Sequence, residues 1–249
     1  MVQLQAIPRL EVKNGLRRAV FLDRDGVLNE LVCDPDHGRI DSPLHVSQLR
    51  VWPKAGQAVK LLNRLGFVVV VVSNQPAVAK GKMWQTQLEA ITRRLVRQIK
   101  RSGGGRIEDV LYCLHHPLAR SAMYRKRCQC RKPEPGLLLQ AARRWKIALG
   151  ASYMVGDGMA DIQAGRRAGC RTIWIGDWRC EFCRASHHAV HPDHIASDVW
   201  AAARLIQQLE SKGVVARRDM STTVSSLYGL QSRRSRTMSR SLSAFEQTA

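Results

Sequence analysis

Five short apolar runs, separated by amphipathic stretches, place the strongest constraint on how this chain can fold. The runs have the length of buried strands, whereas the stretches between them contain helical periodicity. This alternation predicts strand–helix–strand units, which build a parallel sheet covered by helices on both faces. We therefore predict an α/β fold with a doubly wound, Rossmann-like sheet and no large cap domain. The predicted strands are 19–22, 67–72, 110–112, 153–155 and 172–175.

Capping residues predict where the helices begin and end. The helix after the second strand is expected to begin at a capping box formed by Thr86 and Glu89, and to end at the glycines from Gly103. Ser197 is the expected N-cap of the last helix. Besides the helix that begins at Thr86, the predicted helices are 54–65, 135–145, 159–168 and 197–210.

The composition of the chain changes at Ser211. From there to Ala249 the sequence is rich in Ser, Thr and Arg and has no sustained apolar periodicity, which is typical of a solvated, disordered segment. We therefore predict three parts: an N-terminal extension over 1–18, one folded domain over 19–210, and a disordered Ser/Arg-rich tail over 211–249.

Composition also limits the cellular context. The longest apolar run, 67–72, is far shorter than the roughly 20 residues needed to cross a bilayer. Residues 1–18 lack the apolar segment of a secretory signal, so we expect a cytoplasmic protein with no membrane partner. Seven cysteines, an odd number in a reducing compartment, favour metal ligation over a disulfide framework.

The charge predicts anionic partners. Lys and Arg number 40 against 20 Asp and Glu, a formal net charge of +20. Only 6% of the residues are aromatic and no RNA-recognition motif is visible, so nucleic acid is not the favoured partner. The basic stretch from Arg93 to Arg101 is interpreted as a solvated helix face or an anion-attracting surface.

Two carboxylates follow the first predicted strand. Since strand side chains alternate, Asp23 and Asp25 leave the strand end on the same side, and Gly26 permits the tight turn that follows. Two carboxylates this close repel each other unless a divalent cation such as Mg²⁺ lies between them or one of them stays protonated as a general acid. The alternative is an ordinary solvated turn.

Three further groups follow predicted strands or precede a helix at the same sheet edge, where open α/β sheets bind ligands. Ser73 ends the second apolar strand and can donate to a phosphate oxygen. Lys132 stands just before a helix and adds a fixed cation. Asp157 and Asp161 follow the strand 153–155 and suit a hard metal ion.

These four groups, in this order, resemble the motifs of the haloacid dehalogenase-like phosphohydrolases over roughly residues 19–206. The stretches 21–29, 72–75 and 128–133 are most similar to small capless phosphatases typified by D-glycero-D-manno-heptose 1,7-bisphosphate phosphatase and histidinol-phosphate phosphatase. The resemblance implies Mg²⁺-dependent hydrolysis of a phosphomonoester through an aspartyl-phosphate, with a small phosphorylated metabolite as substrate.

The resemblance also implies a role for each site residue. Asp23 is the expected nucleophile, and Asp25 the expected proton donor to the leaving group and later the base toward water. Arg131 is expected to contact a second anionic group of the substrate. The expected Mg²⁺ ligands are the carboxylates of Asp23 and Asp157 and the backbone carbonyl of Asp25, supported by Asp161. The expected phosphate-binding residues are Ser73, Asn74, Gln75 and Lys132.

A separate pattern predicts a zinc site. Cys113 and His115, followed after a loop by Cys128 and Cys130, supply the ligands of a closed tetrahedral Cys₃His site. With all four positions filled by protein, such a Zn²⁺ is structural, and it would hold the loop that carries Lys132. His116, beside His115, is the competing ligand, and reduced cysteines without a metal are the alternative.

A second group of Cys and His residues has a less specific spacing. A surface loop is the favoured interpretation and a second zinc site the alternative. The group comprises Cys180, Cys183, His187, His188, His191 and His194.

The substrate is the least constrained property. The heptose phosphatases usually place Lys after the fourth-motif Asp, where this chain has Gly158, and the segment 30–42 is longer than their substrate loop. The favoured substrate is a heptose 1,7-bisphosphate, hydrolysed at position 7 by a monomeric enzyme. Histidinol phosphate, a polynucleotide phosphate, and nucleic-acid binding by a protein without catalytic activity are the alternatives.

Overall fold

A six-stranded parallel sheet forms the centre of the protein, in the order β5-β4-β1-β6-β7-β8. The computed structural model describes residues 15–34, 39–176 and 191–211. A small antiparallel hairpin, β2–β3, follows the first strand. The strands are β1 (Ala19–Leu22), β2 (Val32–Asp34), β3 (Arg39–Asp41), β4 (Val68–Asn74), β5 (Asp109–Cys113), β6 (Tyr153–Gly156), β7 (Arg171–Ile175) and β8 (His194–Ala196).

Helices cover both faces of the sheet, as the alternation of apolar runs predicts. On one face α1, α3 and α6 pack against alternate strand residues such as Val20 and Leu22. On the other, α4 and α5 pack against Ala19 and Phe21. The doubly wound fold is therefore confirmed. The helices are α1 (Ala55–Arg64), α2 (Pro76–Ala79), α3 (Gln85–Gly103), α4 (Gly136–Trp145), α5 (Met159–Arg167) and α6 (Val199–Ser211).

Both predicted N-caps are wrong by one or two residues. Helix α3 begins at Gln85, and the side chain of Gln87 accepts a hydrogen bond from the backbone N–H of Trp84 at 2.7 Å. For α6, the side chain of Asp198 accepts from the backbone N–H of Ala201 at 2.7 Å, so Asp198 is the capping residue. In each case a polar residue next to the predicted cap bonds a free N–H at the start of the helix.

Short elements account for the other differences from the sequence prediction. Neither the β2–β3 hairpin nor β8 was predicted, because three-residue strands carry no readable periodicity. The end of the predicted N-terminal extension contacts the domain: the buried guanidinium of Arg18 pairs with the carboxylate of Glu210 and lies 4.4 Å from the ring of Phe67. Most of the extension, and the tail from Lys212 onward, lie outside the described residues.

Candidate active site

The strand order brings the predicted motifs to one edge of the sheet. Strand β1 lies between β4 and β6, and all three run parallel. Asp23 follows β1, Asn74 ends β4, and Asp157 follows β6, so their side chains start from adjacent strand ends. The backbone N–H of Asp23 donates to the carbonyl of Val155 at 3.0 Å, which fixes the first of these ends against its neighbour.

Three carboxylates converge at this edge. Asp23, Asp157 and Asp161 each offer one oxygen, and these oxygens lie within 4.8 Å of one another. Asp161 is 2% exposed, and its Oδ2 accepts a hydrogen bond from the backbone N–H of Gly158 at 3.0 Å. A cluster of carboxylate oxygens is the donor set that Mg²⁺ prefers. The residues present therefore fit the predicted magnesium ion.

Lys132 compensates part of this negative charge. Its Nζ lies 2.9 Å from Oδ1 of Asp23 and 2.5 Å from Oδ1 of Asp161, and it donates to the carbonyl of Val72 at 2.8 Å. Burial acts to lower the pKa of Lys132, but the two carboxylates outweigh it and raise that pKa, so the ammonium stays charged. Burial and the adjacent Asp23 carboxylate raise the pKa of Asp161 to about 6, against the effect of Lys132.

Asn74 holds Lys132 in place through its backbone. The Asn74 side chain donates from Nδ2 to the Lys132 carbonyl at 2.9 Å and accepts at Oδ1 from the Lys132 N–H at 3.0 Å. The Asn74 amide is thus bonded to the segment that carries the lysine, and the expected contact of Asn74 with phosphate stays a prediction. This two-way bond connects the end of β4 to the segment before α4 across a long stretch of sequence.

The Asp25 carboxylate lies in a different environment from the three-carboxylate cluster. Arg24 donates to both of its oxygens, from Nε to Oδ1 at 3.0 Å and from Nη2 to Oδ2 at 2.9 Å. Three more side chains donate to it, namely Asn29, Ser42 and Gln75, at 2.9, 2.9 and 2.7 Å. Each of its oxygens therefore accepts at least two hydrogen bonds.

These donors set the protonation of Asp25. Burial acts to raise its pKa, but the charge and hydrogen bonds of Arg24, with those of Asn29 and Gln75, outweigh burial and lower the pKa. Asp25 is thus held ionised in this arrangement. The structure does not place its carboxylate in the metal-ligand cluster with Asp23, Asp157 and Asp161.

Gln75 connects Asp25 to the rest of the edge. Its Nε2 donates to Asp25 and also to Oγ of Ser73 at 3.1 Å, and its Oε1 accepts from Arg24 at 3.0 Å. Both ends of the amide are therefore engaged within the protein, although we expected Gln75 to bind phosphate. Ser73, 2% exposed, still carries a hydroxyl proton that it can donate.

Gly26 is required at its position for two reasons. Its φ of 82° lies in the left-handed region, which side chains rarely adopt. A Cβ at this position would also lie 1.9 Å from Oδ2 of Asp157. The turn after β1 can therefore approach the metal-ligand cluster only without a side chain.

The Cys/His cluster forms next to this edge. The sulfurs of Cys113, Cys128 and Cys130 lie 3.3–3.6 Å from one another, and Nδ1 of His115 lies 3.3 Å from the Cys130 sulfur. A disulfide needs about 2.05 Å between sulfurs, whereas a tetrahedral zinc with Zn–S bonds of about 2.3 Å separates them by about 3.8 Å. The spacing and donor set therefore fit Zn²⁺.

The ring nitrogen of this cluster comes from His115, not from the neighbouring His116. Nδ1 of His116 accepts a hydrogen bond from the backbone N–H of Leu118 at 3.0 Å, and His115 supplies the ring nitrogen of the cluster. Of the second Cys and His group, only His191 and His194 belong to the described residues, and His194 lies in β8. The alternative of a second zinc site thus lies outside them.

Arg131 connects the Cys/His cluster to the catalytic edge. Its Nη1 donates to the carbonyl of His115 at 3.2 Å, and the next residue is Lys132. The guanidinium is partly exposed and keeps further N–H groups for a ligand. Arg131 is therefore placed beside the buried lysine by a contact with a predicted zinc ligand.

The chain is similar to characterised proteins of one family. Residues 129–202 match the model of the HAD-hydrolase-like family. The D-glycero-β-D-manno-heptose-1,7-bisphosphate 7-phosphatase of Rhodopseudomonas palustris is 35% identical over 155 residues, which are 61% of this chain and 80% of that protein. The Escherichia coli K12 enzyme of the same name is 36% identical over 146 residues, 59% of this chain and 72% of that protein. The chain belongs to the haloacid dehalogenase-like phosphohydrolases.

A solved structure is also similar to this phosphohydrolase. The D,D-heptose 1,7-bisphosphate phosphatase from B. bronchiseptica, crystallised with magnesium and phosphate, matches with a TM-score of 0.62 and 27% identity, over 77% of this chain and 98% of that one. The protein is thus a phosphoric monoester hydrolase. Within the described residues, every helix is too short or too polar to cross a membrane.

Sequence reasoning missed three residues of this phosphohydrolase. Arg24 is fully buried, and Tyr112 lies beside it, with the hydroxyl 3.5 Å from Nη1. Ser42, which follows the β2–β3 hairpin, reaches Asp25. An arginine between two acids at a strand end was a readable signal for Arg24. The contacts of Ser42 and Tyr112 join residues far apart in the sequence, so no local sequence pattern predicts them.

Proposed function

We propose that the protein removes the 7-phosphate of D-glycero-D-manno-heptose 1,7-bisphosphate through an aspartyl-phosphate formed on Asp23. The observation that carries the proposal is the convergence of Asp23, Asp157 and Asp161 with Lys132 at one sheet edge. The named relatives act on this sugar bisphosphate, and the B. bronchiseptica enzyme holds magnesium and phosphate. The predicted cytoplasmic location and monomeric state stay predictions.

Asp23 is the proposed nucleophile. Its Oδ1 accepts from the Arg24 N–H at 2.7 Å and pairs with Lys132, so we assign the attack on phosphorus to Oδ2. Lys132 and the Ser73 hydroxyl would contact the phosphoryl oxygens as charge shifts onto them. Asp23, Asp157 and Asp161 would hold Mg²⁺, which when bound neutralises charge on the transferring phosphoryl group.

Asp25 moves the protons in this proposal. It first donates a proton to the leaving alkoxide oxygen, and then, ionised, accepts a proton from the water that hydrolyses the Asp23 phosphate. The lowered pKa of Asp25 keeps its carboxylate in the ionised form that the second step requires, because Arg24 stabilises that form. The first step requires that Asp25 take up a proton against this effect when substrate binds.

The Cys/His cluster has a structural role in this proposal. Zn²⁺ held by Cys113, His115, Cys128 and Cys130 leaves no open coordination position. The metal would order the loop that ends at Arg131 and Lys132. The cluster therefore affects the reaction by placing those two cations.

Arg131 is the proposed contact for the second phosphate of the substrate. Arg131→Ala should lower kcat/KM for the bisphosphate. The loss in transition-state stabilisation should be roughly 1.5–3 kcal/mol, the value of hydrogen bonds to a charged group, and much less for the monophosphate. Steady-state kinetics on both substrates measure this ratio. The matched control is Arg127→Ala, since Arg127 is exposed in the same loop. It should leave the ratio unchanged.

The same kinetic measurements distinguish the heptose bisphosphate from the alternative substrate, histidinol phosphate. Equal efficiency on the heptose mono- and bisphosphate, or an unchanged ratio in Arg131→Ala, contradicts the role of Arg131. Faster hydrolysis of histidinol phosphate than of either sugar would replace the heptose by that substrate. Inactivity of the wild-type enzyme on every monoester tested with Mg²⁺ would reject the mechanism itself.

A further inference from the structure

A cavity lies on the helical surface, apart from the catalytic edge. It is a groove of about 820 Å³ between the segment 46–54, which leads into α1, and the second half of α3. None of the catalytic or Cys/His-cluster residues is among the described residues that line it. Its volume lies in the range of small-ligand sites. The groove therefore has room for a ligand separate from the phosphatase substrate.

The walls of this groove are strongly basic. Arg50, Lys54, Arg94 and Arg101 line it, and Glu30 is the acidic residue among its described lining residues. Arg94 and Arg101 are two helical turns apart on α3, so both face the same side. Within the described residues, the structure shows no salt bridge for either of them or for Lys54. Arg50 donates from Nη1 to the carbonyl of Ser47 at 2.8 Å and keeps further N–H groups. Four cations that line one groove favour an anionic ligand.

The fold adds to this positive charge. Helix α1 begins at the groove after Lys54, with no side-chain cap and no acidic residue in its first turn. The amino end of a helix carries partial positive charge. This contribution is secondary, because the four side chains define the site, but it has the same sign.

Two neutral residues give the groove further recognition groups. Trp52 is 37% exposed and lines the wall formed by 46–54, where it offers an aromatic surface. Oε1 of Gln98 is buried and has no hydrogen-bond partner within the described part of the chain, so it can accept from a ligand hydroxyl or amine. An aromatic surface beside several cations suits a planar base joined to phosphates.

We propose that this groove binds a nucleoside di- or triphosphate. The phosphate chain would contact Arg94, Arg101, Arg50 and Lys54, and the base would lie against Trp52. A single phosphate would engage only part of the four cations, and an inorganic polyphosphate would leave the aromatic wall unused. The proposal is independent of the phosphatase reaction.

The test measures binding by calorimetry, with α,β-methylene-ADP and pyrophosphate as separate probes. In the full-length protein, Arg94→Gln together with Arg101→Gln should weaken binding of the nucleotide analogue by about tenfold or more. The matched control is Arg93→Gln with Arg97→Gln, two exposed arginines of the same helix that do not line the groove. It should change the affinity by less than about twofold.

Two further variants locate the ligand. Trp52→Ala should weaken the analogue several-fold and leave pyrophosphate unchanged. Arg131→Ala should leave the analogue unchanged, because Arg131 is at the catalytic edge. Equal affinity for pyrophosphate and the analogue would overturn the nucleotide assignment, and loss of binding in Arg131→Ala would move the ligand to the active site. Tighter binding of a single-stranded RNA oligonucleotide that displaces the analogue would also overturn the proposal.

Discussion

Two clusters of candidate metal ligands are held in place by different parts of this protein. Asp23 and Asp157 follow buried strands of the central sheet, and Lys132 and the Gly158 N–H stabilise the carboxylates. The Cys/His cluster instead depends on the segment 113–132, in which the structure shows one short 3₁₀ helix, Ala122–Tyr124, after the end of β5. The first cluster is built by the sheet, whereas the second has little secondary structure of its own.

The difference indicates what each metal contributes. Asp23 and Asp157 directly follow buried strands of the sheet, so we expect Mg²⁺ to affect chemistry far more than folding. The thiolates and imidazole replace a hydrophobic core in their segment, so we expect Zn²⁺ to affect folding first and activity through it. Substitutions in the two clusters should therefore separate activity from stability.

The largest expected effect on activity comes from the catalytic edge. Asp23→Asn should lower kcat by at least roughly a thousandfold, because an amide cannot form the aspartyl-phosphate. The melting temperature should not fall, since Asn nearly preserves the shape and one of three clustered carboxylates is neutralised. Steady-state kinetics and a thermal melt on the same preparation check this. Normal kcat in cleanly folded protein would reject Asp23 as the nucleophile.

The largest expected effect on stability comes from the Cys/His cluster. Cys128→Ser, or removal of zinc with a strong chelator, should destabilise the segment 113–132 by on the order of several kcal/mol. Limited proteolysis and hydrogen exchange measure this loss, and activity should fall with it. Cys33→Ser is the matched control, since Cys33 is a free, exposed cysteine outside the cluster.

Metal analysis provides the second half of that experiment. About one zinc per chain in the wild-type protein, and none in Cys128→Ser, is the expected result. A wild-type protein grown with zinc but containing none would remove the site. A content near two zincs would show that the histidines and cysteines from Cys180 to His194 bind a second ion.

Topology explains why much of the site was predictable. A parallel strand order places the residues after neighbouring strands at one edge, so Asp23, Ser73 and Asp157 could be brought together from the sequence alone. Likewise, the spacing of Cys113, His115, Cys128 and Cys130 specifies a ligand set without any knowledge of the sheet. Both predictions depend on order and spacing along the chain.

Side-chain partners depend on packing, and there the prediction was weaker. Asn74 and Gln75 follow Ser73 and were expected to bind phosphate, yet their amides bond Lys132 and Asp25. Such bonds join strand ends to distant segments, and an amide is equally suited to a phosphate or to a backbone. The predicted N-cap of α3 was wrong for a similar reason. Thr86 fits the capping-box pattern, but the side chain of Gln87 bonds the first N–H of the helix end, that of Trp84.

Asp25→Asn should combine a catalytic and a structural effect. The amide of Asn would turn donor groups toward Arg24, which is fully buried and would lose its charge partner. The free energy of unfolding should therefore fall by about 3 kcal/mol or more. On alkyl phosphates kcat should also fall roughly a hundredfold or more, and less on aryl phosphates, whose leaving groups need no proton. A thermal melt and the aryl-to-alkyl rate ratio measure the two effects. Equal loss on both esters would contradict the role of Asp25 in proton transfer.

The smallest expected effect tests whether the hydrogen bonds of the catalytic edge position its lysine. Asn74→Ala removes both bonds to the Lys132 backbone, but the ion pairs of the lysine remain. The fall in kcat/KM should therefore correspond to a loss of roughly 1–2 kcal/mol in transition-state stabilisation. Asn63→Ala is the matched control, because the Asn63 amide makes the same two-way bond to the backbone of Arg106, at 3.1 and 2.8 Å.

Comparing the two asparagine variants separates positioning from stability. Both lose one donor and one acceptor bond to a backbone, so both should lower the melting temperature by a few degrees. Only Asn74→Ala should lower kcat/KM, because only its partner segment carries Lys132 to Asp23. An equal loss of activity in Asn63→Ala would show that the effect is general destabilisation. Full activity in Asn74→Ala would show that the contacts of Lys132 with Asp23, Asp161 and the Val72 carbonyl position the ammonium without this amide.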